Sequence, residues 1–239
     1  GWRATFYFLA GFGFVLAFLL WRFLPETLPP HKRTPLKLGV ILGNYLTALS
    51  NRKFRTMVAG LAMMAGANAI YVSSAAEFVM TVLGMEATQL GWLFIPLIAG
   101  TFMGSAISGT FAKRIPMKVQ KGIGYSCLLL ACASNVLYNA FTNHPVVPWA
   151  VLPITIYTLG ISLLMPILSL ETMGQFPQMR GLASSLQGFA QMMVFTLISA
   201  AIVPHLFHSG LWLAVGQSVF VVIGMIVWWW AVNKVPAQS

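Results

Sequence analysis

The chain has 239 residues, of which 58% are hydrophobic and 8% are charged, so its composition excludes an ordinary soluble domain and indicates a membrane protein. Its 14 Lys and Arg residues outnumber its 4 acidic residues and give a formal charge of +10. These cations lie in short segments between long apolar runs, so they favour a topology signal over a nucleic-acid partner, and we predict no nucleic-acid binding.

Seven apolar runs are long enough to cross a membrane as helices, for which roughly 20 residues are needed. The runs lack the alternation of barrel strands, and a backbone in lipid must satisfy its own hydrogen bonds. The sequence therefore predicts an all-α polytopic membrane protein with seven transmembrane helices. The predicted spans are residues 3–24, 56–83, 88–112, 119–141, 147–171, 181–206 and 210–233.

The basic residues separate the connecting segments into two alternating sets. Cations follow the first, third, fifth and seventh spans, whereas the segments around residues 84–88, 142–148 and 204–210 contain no Lys or Arg. Short cytoplasmic segments are enriched in these residues, so 13 of the 14 are predicted to lie on the cytoplasmic side. The N-terminus is then outside, with Arg3, and the C-terminus is cytoplasmic.

The first predicted span is interpreted as an internal helix. It has no basic region before its apolar run and no small-residue cleavage site after it, so it does not fit a signal peptide. Because the sequence begins at Gly1 with neither methionine nor a hydrophilic leader, we expect further spans upstream.

The one long polar stretch, residues 25–55, contains six of the 14 basic residues. Within it, apolar residues recur at helical spacing, which predicts a short amphipathic helix in the membrane interface, anchored by the basic residues 52–55. This helix is interpreted either as a linker or as a regulatory, lipid-sensing element. The apolar set is Leu38, Ile41, Leu42, Tyr45, Leu46 and Leu49.

Two polar candidates lie in the second predicted span, Asn68 near its middle and Glu77 nearer its outer end. An ionisable side chain costs roughly 2.5 to 3.5 kcal/mol at the bilayer centre. Glu77 is therefore expected either to face a proton or substrate pathway or to reach headgroup water about 9 Å away. The two residues are nine positions apart, about 180° around a helix, so they are not expected to line one cavity.

Small residues one helical turn apart predict close helix packing in two spans. Gly100 and Gly104 have this spacing in the third span, and Gly181, Ser185 and Gly188 begin the sixth.

Amide side chains supply further candidates. Gln187 and Gln191 lie one turn apart on the sixth span, where they need partners across a helix interface or in a polar cavity, and both interpretations stay open. Asn135 and Asn139 in the fourth span are weaker candidates for cavity positions.

The residues offer little for catalysis or for metal binding. The sequence has no aspartate and no His-Glu-x-x-His motif, which argues against aspartyl and zinc proteases. Cys127 and Cys132 fall within one predicted span, which favours packing over a disulfide or a metal pair. His205 and His208 share helical spacing but have no acid nearby. We therefore predict no enzyme, no cofactor and no metal site.

Several segments, taken in their order and spacing, resemble the bicyclomycin-resistance type of drug:proton antiporter in the major facilitator superfamily. Trp2-Arg3 precedes a Phe-rich span, and Leu24-Pro-Glu-Thr-Leu28 follows it. A basic loop with an amphipathic helix, a degenerate turn at residues 109–114, and Phe176-Pro-x-x-x-Gly-x-Ala-Ser-Ser185 come next. The resemblance covers essentially the whole chain and maps it onto the sixth to twelfth spans of a twelve-span transporter.

The resemblance implies four segments. Residues 1–24 would be the last helix of the N-terminal bundle, residues 25–55 the central cytoplasmic loop, residues 56–233 the C-terminal six-helix bundle, and residues 234–239 a cytoplasmic tail. The protein would be a multi-pass protein of the bacterial inner membrane. A cytoplasmic gating turn is implied at Gly109, Lys113 and Arg114.

The implied function is that of a portion of a secondary active transporter, which exports small amphipathic molecules against proton entry by alternating access. Its partners would be the lipid bilayer, the substrate, the proton and the missing N-terminal half, without which the chain would be incomplete. In this family the acids that take up the proton are expected mainly in that half. The substrate-binding or coupling candidates in this chain are Glu77, Asn68, Gln187 and Gln191.

Two other interpretations stay open, an inactive fragment and a seven-helix receptor-like membrane protein. No Lys lies near the middle of a predicted span to hold retinal, since Lys121 is only two residues from the start of the fourth span, which argues against the rhodopsin form of the second.

Overall fold

The computed structural model describes residues 2–25, 38–111, 114–142 and 144–235. These residues form helices joined by turns and contain no β-strand, which confirms the predicted all-α class. The chain divides into two units, Gly1–Gly43 and Asn44–Ser239. The division falls inside helix α2.

The first unit contains helix α1, Trp2–Phe23, in which no residue is buried. Its 22 residues extend for about 33 Å, enough to cross a hydrocarbon layer. A helix that is apolar on all sides is suited to lipid, since in water it would expose all of its aromatic residues.

Helix α2, Leu38–Ser50, begins in the first unit and ends in the second, and it covers the range predicted for the interfacial helix. In its second half Ala48 is fully buried against Phe54, Val58 and Ala183. Leu46 and Leu49 remain exposed, so part of the predicted apolar face is directed away from the packed side.

The rest of the second unit is built from long helices with short turns between them. In chain order they are α3 Arg52–Gly66, α4 Asn68–Ser73, α5 Ala75–Glu77, a π-helical turn Phe78–Val82, a 3-10 turn Ala87–Gln89, α6 Gly91–Phe111, α7 Met117–Phe141, α8 Leu152–Met173, α9 Arg180–Leu197, a second π-helical turn Ile198–Ile202, α10 Val203–Leu206 and α11 Gly210–Lys234.

Seven helical segments of the described chain are long and apolar enough to cross a membrane, as the sequence predicts. They are Trp2–Phe23, Arg52–Ser73, Ala87–Thr110, Met117–Phe141, Leu152–Met173, Arg180–Leu206 and Gly210–Lys234. The chain is therefore a multi-pass membrane protein by the length and composition of its helices.

The second predicted span, residues 56–83, is not one regular helix. It begins earlier, at Arg52, and is interrupted at Ala67 and at Ser74 before it ends in the first π-helical turn. The Ser74 hydroxyl donates to the carbonyl of Ile70 at 2.5 Å, a back-bond of the kind that bends helices. Hydrophobicity alone gave no sign of these breaks, because the apolar pattern continues through them.

The packing of the second unit is centred on two helices, α8 and α3. Helix α8 packs against α6 and α7, and α3 packs against α11 and α9. At the crossing of α3 with α11, Gly60 faces Gly224 and the backbone of Trp228. The buried side chains of these helices, among them Leu61, Leu128 and Leu164, form a continuous core.

Replacing Gly224 by valine is expected to push α3 and α11 apart. An added Cβ would lie 2.8 Å from the carbonyl oxygen of Gly60 and 2.8 Å from the backbone nitrogen of Met64. Overpacking of this kind costs about 1 to 3 kcal/mol, so the midpoint of thermal unfolding in detergent should fall. Gly122→Val on α7 is the control, because nothing lies within 4 Å of a Cβ there. Equal midpoints for the two variants would contradict this helix contact.

Candidate functional site

Glu77 is the last residue of α5, where regular helix gives way to the first π-helical turn. Its side chain is half-buried, and its Oε1 accepts a hydrogen bond of 2.8 Å from the Thr81 hydroxyl. No Lys or Arg among the described residues forms an ion pair with it. π-Helical turns occur frequently at functional sites, since they change the direction in which side chains project. Glu77 is thus a carboxylate with one hydroxyl donor and no fixed counter-charge.

Asn68 opens α4 directly after the interruption at Ala67. Its Oδ1 is buried and has no hydrogen-bond partner among the described residues. No polar contact among the described residues links Asn68 to Glu77, and the two lie on different short helices, α4 and α5, so they do not form one site. A buried acceptor without a donor costs about 1 to 3 kcal/mol, so Asn68 Oδ1 is an unsatisfied polar atom inside the second unit.

Gln187 and Gln191 occupy successive turns of α9. The Gln187 amide is buried, and its Nε2 donates to the Ser169 hydroxyl on α8 at 2.9 Å. Its Oε1 has no hydrogen-bond partner in the part of the chain that the structure describes. Gln191 is half-buried. Gln187 therefore links two helices through its donor while its acceptor stays available, so it combines features of both interpretations that the sequence left open.

A buried cluster of polar side chains joins three helices, and we refer to Tyr71, Asn135, Asn139 and Gln217 as the amide cluster. Asn135 Nδ2 donates to Tyr71 Oη at 2.8 Å and to Gln217 Oε1 at 3.3 Å. Asn139 Nδ2 donates in turn to Asn135 Oδ1 at 3.0 Å. Tyr71, Asn135 and Gln217 are essentially inaccessible. The cluster ties α4 and α11 to α7.

The sequence identified only part of the amide cluster. Asn135 and Asn139 were recognised as polar residues inside a span, but Tyr71 and Gln217 were missed. An amide or hydroxyl within an apolar run was the available signal, since such groups in lipid need internal partners. The cluster is uncharged, so its chemistry is hydrogen bonding and not proton transfer. Gln217 Nε2 is a buried donor that has no partner among the described residues.

Hydroxyl groups connect the two spans that contain π-helical turns. The Ser199 hydroxyl, in the second of these turns, donates to the Ser73 hydroxyl at the end of α4 at 2.7 Å. Ser73 lies about one turn before Glu77. Ser73, Ser199, Glu77 and Thr81 thus place polar groups along neighbouring segments of these two spans, and we refer to them as the polar strip.

A cavity of about 430 Å³ lies at the end of the unit where α7 ends and α11 begins. Thr81 of the polar strip and Asn139 of the amide cluster both line it, together with His208 and Ser209. Because Thr81 also donates to Glu77, the cavity gives this carboxylate a polar neighbourhood on one side.

The predicted packing positions fall into two groups. Gly100 lies against Thr155 and Thr158 of α8, and Gly104 lies against the carbonyl of Leu159, so an added Cβ would collide at either position. Gly181 and Gly188 on α9 differ from the prediction, since nothing lies within 4 Å of a Cβ built on them. Ser185 of the same helix is exposed.

Gly181 and Gly188 therefore do not pack closely against a neighbouring described helix, whereas the Ser185 hydroxyl lies 3.4 Å from the Tyr45 hydroxyl of α2. The spacing was correct for a close contact, but it did not reveal which side of α9 faces its neighbours. That side carries Ala183 and Gln187, which are buried.

The predicted gating turn is only partly described. Gly109 and Arg114 are exposed, and nothing lies within 4 Å of a Cβ on Gly109. Lys113 lies outside the described residues. The neighbouring ion pair was missed from the sequence: Lys121 Nζ donates to Glu171 Oε1 at 2.6 Å and joins the start of α7 to the end of α8.

The chain is similar in sequence to a known protein family and to several of its members. A family model described as Major Facilitator Superfamily matches residues 1–204. The chain is 23% identical over 202 residues to the uncharacterized MFS-type transporter YdgK of Bacillus subtilis, covering 83% of this chain and 49% of the relative.

Two further relatives have names that refer to drug resistance. The chain is 20% identical to the bicyclomycin resistance protein homolog of Haemophilus influenzae, covering 98% of this chain and 58% of the relative. It is 28% identical to multidrug resistance protein D of Escherichia coli, covering 80% of this chain and 46% of the relative. The chain thus spans about half the length of the curated relatives it matches.

Replacing Tyr71 by phenylalanine removes the oxygen that accepts from Asn135 while the ring stays packed on Phe78. Loss of one buried hydrogen bond costs about 0.5 to 1.5 kcal/mol, so the thermal unfolding midpoint in detergent should fall. Tyr7→Phe on α1 is the matched control, because Tyr7 is 77% exposed. An unchanged midpoint for Tyr71→Phe would contradict a stabilising role for the amide cluster.

Proposed function

Because this chain belongs to the major facilitator superfamily, we propose that it is the C-terminal portion of a secondary active transporter. The family match over residues 1–204 and the half-length coverage of the relatives support this proposal. Residues 1–24 would be the last helix of an N-terminal bundle, residues 25–55 the central loop, residues 56–233 the six-helix bundle and residues 234–239 a tail. The chain requires that N-terminal half for transport, and it has no enzymatic role.

The proposed orientation puts the N-terminus outside and the C-terminus in the cytoplasm of a bacterial inner membrane. The support comes from the distribution of charge over helix ends. Cations occur where α3, α7 and α9 begin and where α11 ends, at Arg52, Lys121, Arg180 and Lys234. We refer to this end of the second unit as the basic end. The positive-inside rule assigns it to the cytoplasm.

The proposed substrates are small amphipathic molecules, exported in exchange for protons. The names of the H. influenzae and E. coli relatives, which refer to bicyclomycin and multidrug resistance, support the substrate class. In this proposal the substrate binds between the two bundles near the middle of the membrane, and the bundles rock to expose it to either side.

The proposal of proton coupling is supported by the surroundings of Glu77. The described residues contain three carboxylates, at Glu77, Glu86 and Glu171. Glu171 is paired with Lys121, and Glu86 caps a surface turn, so neither is available. Glu77 alone is half-buried in a span without a cation beside it, which is the setting expected of a carboxylate that exchanges a proton.

The proposed mechanism uses competition at this carboxylate. An ionised Glu77 attracts a cationic group of the substrate, and a proton that arrives through the cavity lined by Thr81 and His208 neutralises it. Neutralisation removes the attraction and favours substrate release. The Thr81 hydroxyl, which donates to Glu77, orients the carboxylate toward this route.

The experiment is export of a fluorescent cationic dye from cells that express this chain together with the first five spans of a related transporter. Efflux is expected to increase as the external medium becomes more acidic, because proton entry drives it. Glu77→Gln should abolish that pH dependence, whereas Glu86→Gln should retain it. The chain expressed alone should show no efflux.

The possible results separate the two parts of the proposal. Efflux by Glu77→Gln with normal pH dependence would contradict coupling at Glu77 and leave transport intact. No efflux with both parts present, after insertion of each has been verified, would contradict transport itself.

A further inference from the structure

An apolar groove of about 430 Å³ lies between α3 and α9, near the basic end and apart from the polar strip and the amide cluster. Alanines at positions 59, 62 and 190 leave space along its length, and larger apolar side chains border it. From Arg55 to Ala62 the groove follows α3 for about 10 Å. Its lining is almost entirely hydrocarbon and includes Leu49, Val58, Leu186, Phe189, Met193 and Val194.

The groove faces outward and not toward the interior of the unit. Arg55, Ala59 and Ala62 share one face of α3 at helical spacing, and the first two are exposed. Other faces of α3 are occupied, since Gly60 lies against Trp228 of α11 and Phe54 packs its ring edge-on against Phe176 before α9. The groove therefore opens between α9 and α11.

Three cations lie within four residues at the mouth of this groove, and Arg55 lines it directly. Arg52 lies about one turn before Arg55 on α3, and its guanidinium carbon is 5.0 Å from the centre of the Trp230 ring. Lys53 lies between them in sequence. Like charges one turn apart on a helix repel, so this arrangement favours an anion at the mouth.

The described part of the chain supplies no such anion. Glu171 forms an ion pair of 2.6 Å with Lys121. Glu77 and Glu86 lie at the ends of their spans that are away from the basic end. From Arg55 to Glu77 the chain rises 22 residues, about 33 Å if helical throughout. Among the described residues, the three cations at the mouth therefore have no carboxylate to compensate them, which leaves this place open to an anionic ligand.

We infer that this groove binds one anionic glycerophospholipid from the leaflet at the basic end. Its phosphate accepts hydrogen bonds from the Arg55 guanidinium, with Arg52 adding positive charge beside it, and one acyl chain lies along the accessible Ala59 and Ala190. Burial of hydrocarbon and attraction of an anionic headgroup reinforce each other in such sites. Inorganic phosphate would leave the groove empty, and a peptide would find almost no polar side chain to bind.

The test is native mass spectrometry of the purified full chain in detergent, with equal concentrations of dioleoyl phosphatidylglycerol and dioleoyl phosphatidylcholine. We expect one retained phosphatidylglycerol. Arg55→Gln should weaken its retention about fivefold, because one cation near a headgroup is lost. Arg114→Gln, which removes an exposed cation outside the groove lining, is the matched control and should retain the lipid. Ala59→Trp should fill the groove and abolish retention.

Wild-type retention in both Arg55→Gln and Ala59→Trp would overturn the inference. An equal loss in Arg114→Gln would overturn it as well, since it would indicate diffuse attraction by the whole basic end. Equal retention of phosphatidylglycerol and phosphatidylcholine would contradict recognition of the anionic headgroup. A dimer that excludes lipid would assign the groove to a second copy of the chain.

A second measurement needs no variant, so it holds even if a substitution prevents folding. Phosphatidylglycerol with a photoactivatable diazirine in one acyl chain should label residues 55–62 and 186–194 of the wild-type chain, and excess unlabelled phosphatidylglycerol should suppress the labelling. Labelling confined to other segments, or labelling that excess lipid leaves unchanged, would overturn the proposed site.

Discussion

Close backbone contact between helices is the constraint on which the second unit depends. Lipid gives no hydrophobic drive for helices to associate, so contact area and internal hydrogen bonds must hold them. Gly60 against Gly224 brings α3 onto α11, and Gly100 with Gly104 brings α6 onto α8. These approaches bring polar groups on different helices within bonding distance. The amide cluster and the Gln187–Ser169 bond are examples of such hydrogen bonds between helices.

Polar groups in this unit serve two different purposes, which their surroundings distinguish. Asn135 is enclosed and almost fully bonded, so it stabilises one arrangement of three helices. Glu77 and Ser73 lie at the edges of helical irregularities and are partly accessible, so they are available for binding. Tyr71 of the amide cluster and Ser73 share helix α4, but Tyr71 is buried and Ser73 is exposed.

The number and approximate bounds of the spans could be predicted from the sequence, because membrane thickness imposes a length that hydrophobic runs reveal directly. Helix irregularities could not, since Ser74 bends the chain through a bond to Ile70 that the apolar pattern does not record. The hydrogen-bond partners of buried polar side chains could not be predicted from the sequence either. Asn135 bonds to residues 64 and 82 positions away, and only the packed helices determine that pairing.

The candidate site shows the same division at the level of single residues. The polarity of Glu77, Asn68 and Gln187 marked them as candidates, but their neighbours came from the structure. Thr81 beside Glu77 lies one turn away and was accessible to sequence reasoning, whereas Ser169 beside Gln187 comes from another helix. For Gly181 and Gly188 the spacing suggested a contact, but spacing does not specify which face a neighbour occupies.

The amide cluster also constrains the order in which the protein can mature during synthesis. Asn135 leaves the ribosome 82 residues before Gln217. At about 5 to 20 residues per second, its amide waits roughly 4 to 16 s for that partner. During this interval α4 and α7 are already made, but a buried donor lacks one of its acceptors. The amide cluster can therefore form only after α11 has been inserted beside α7.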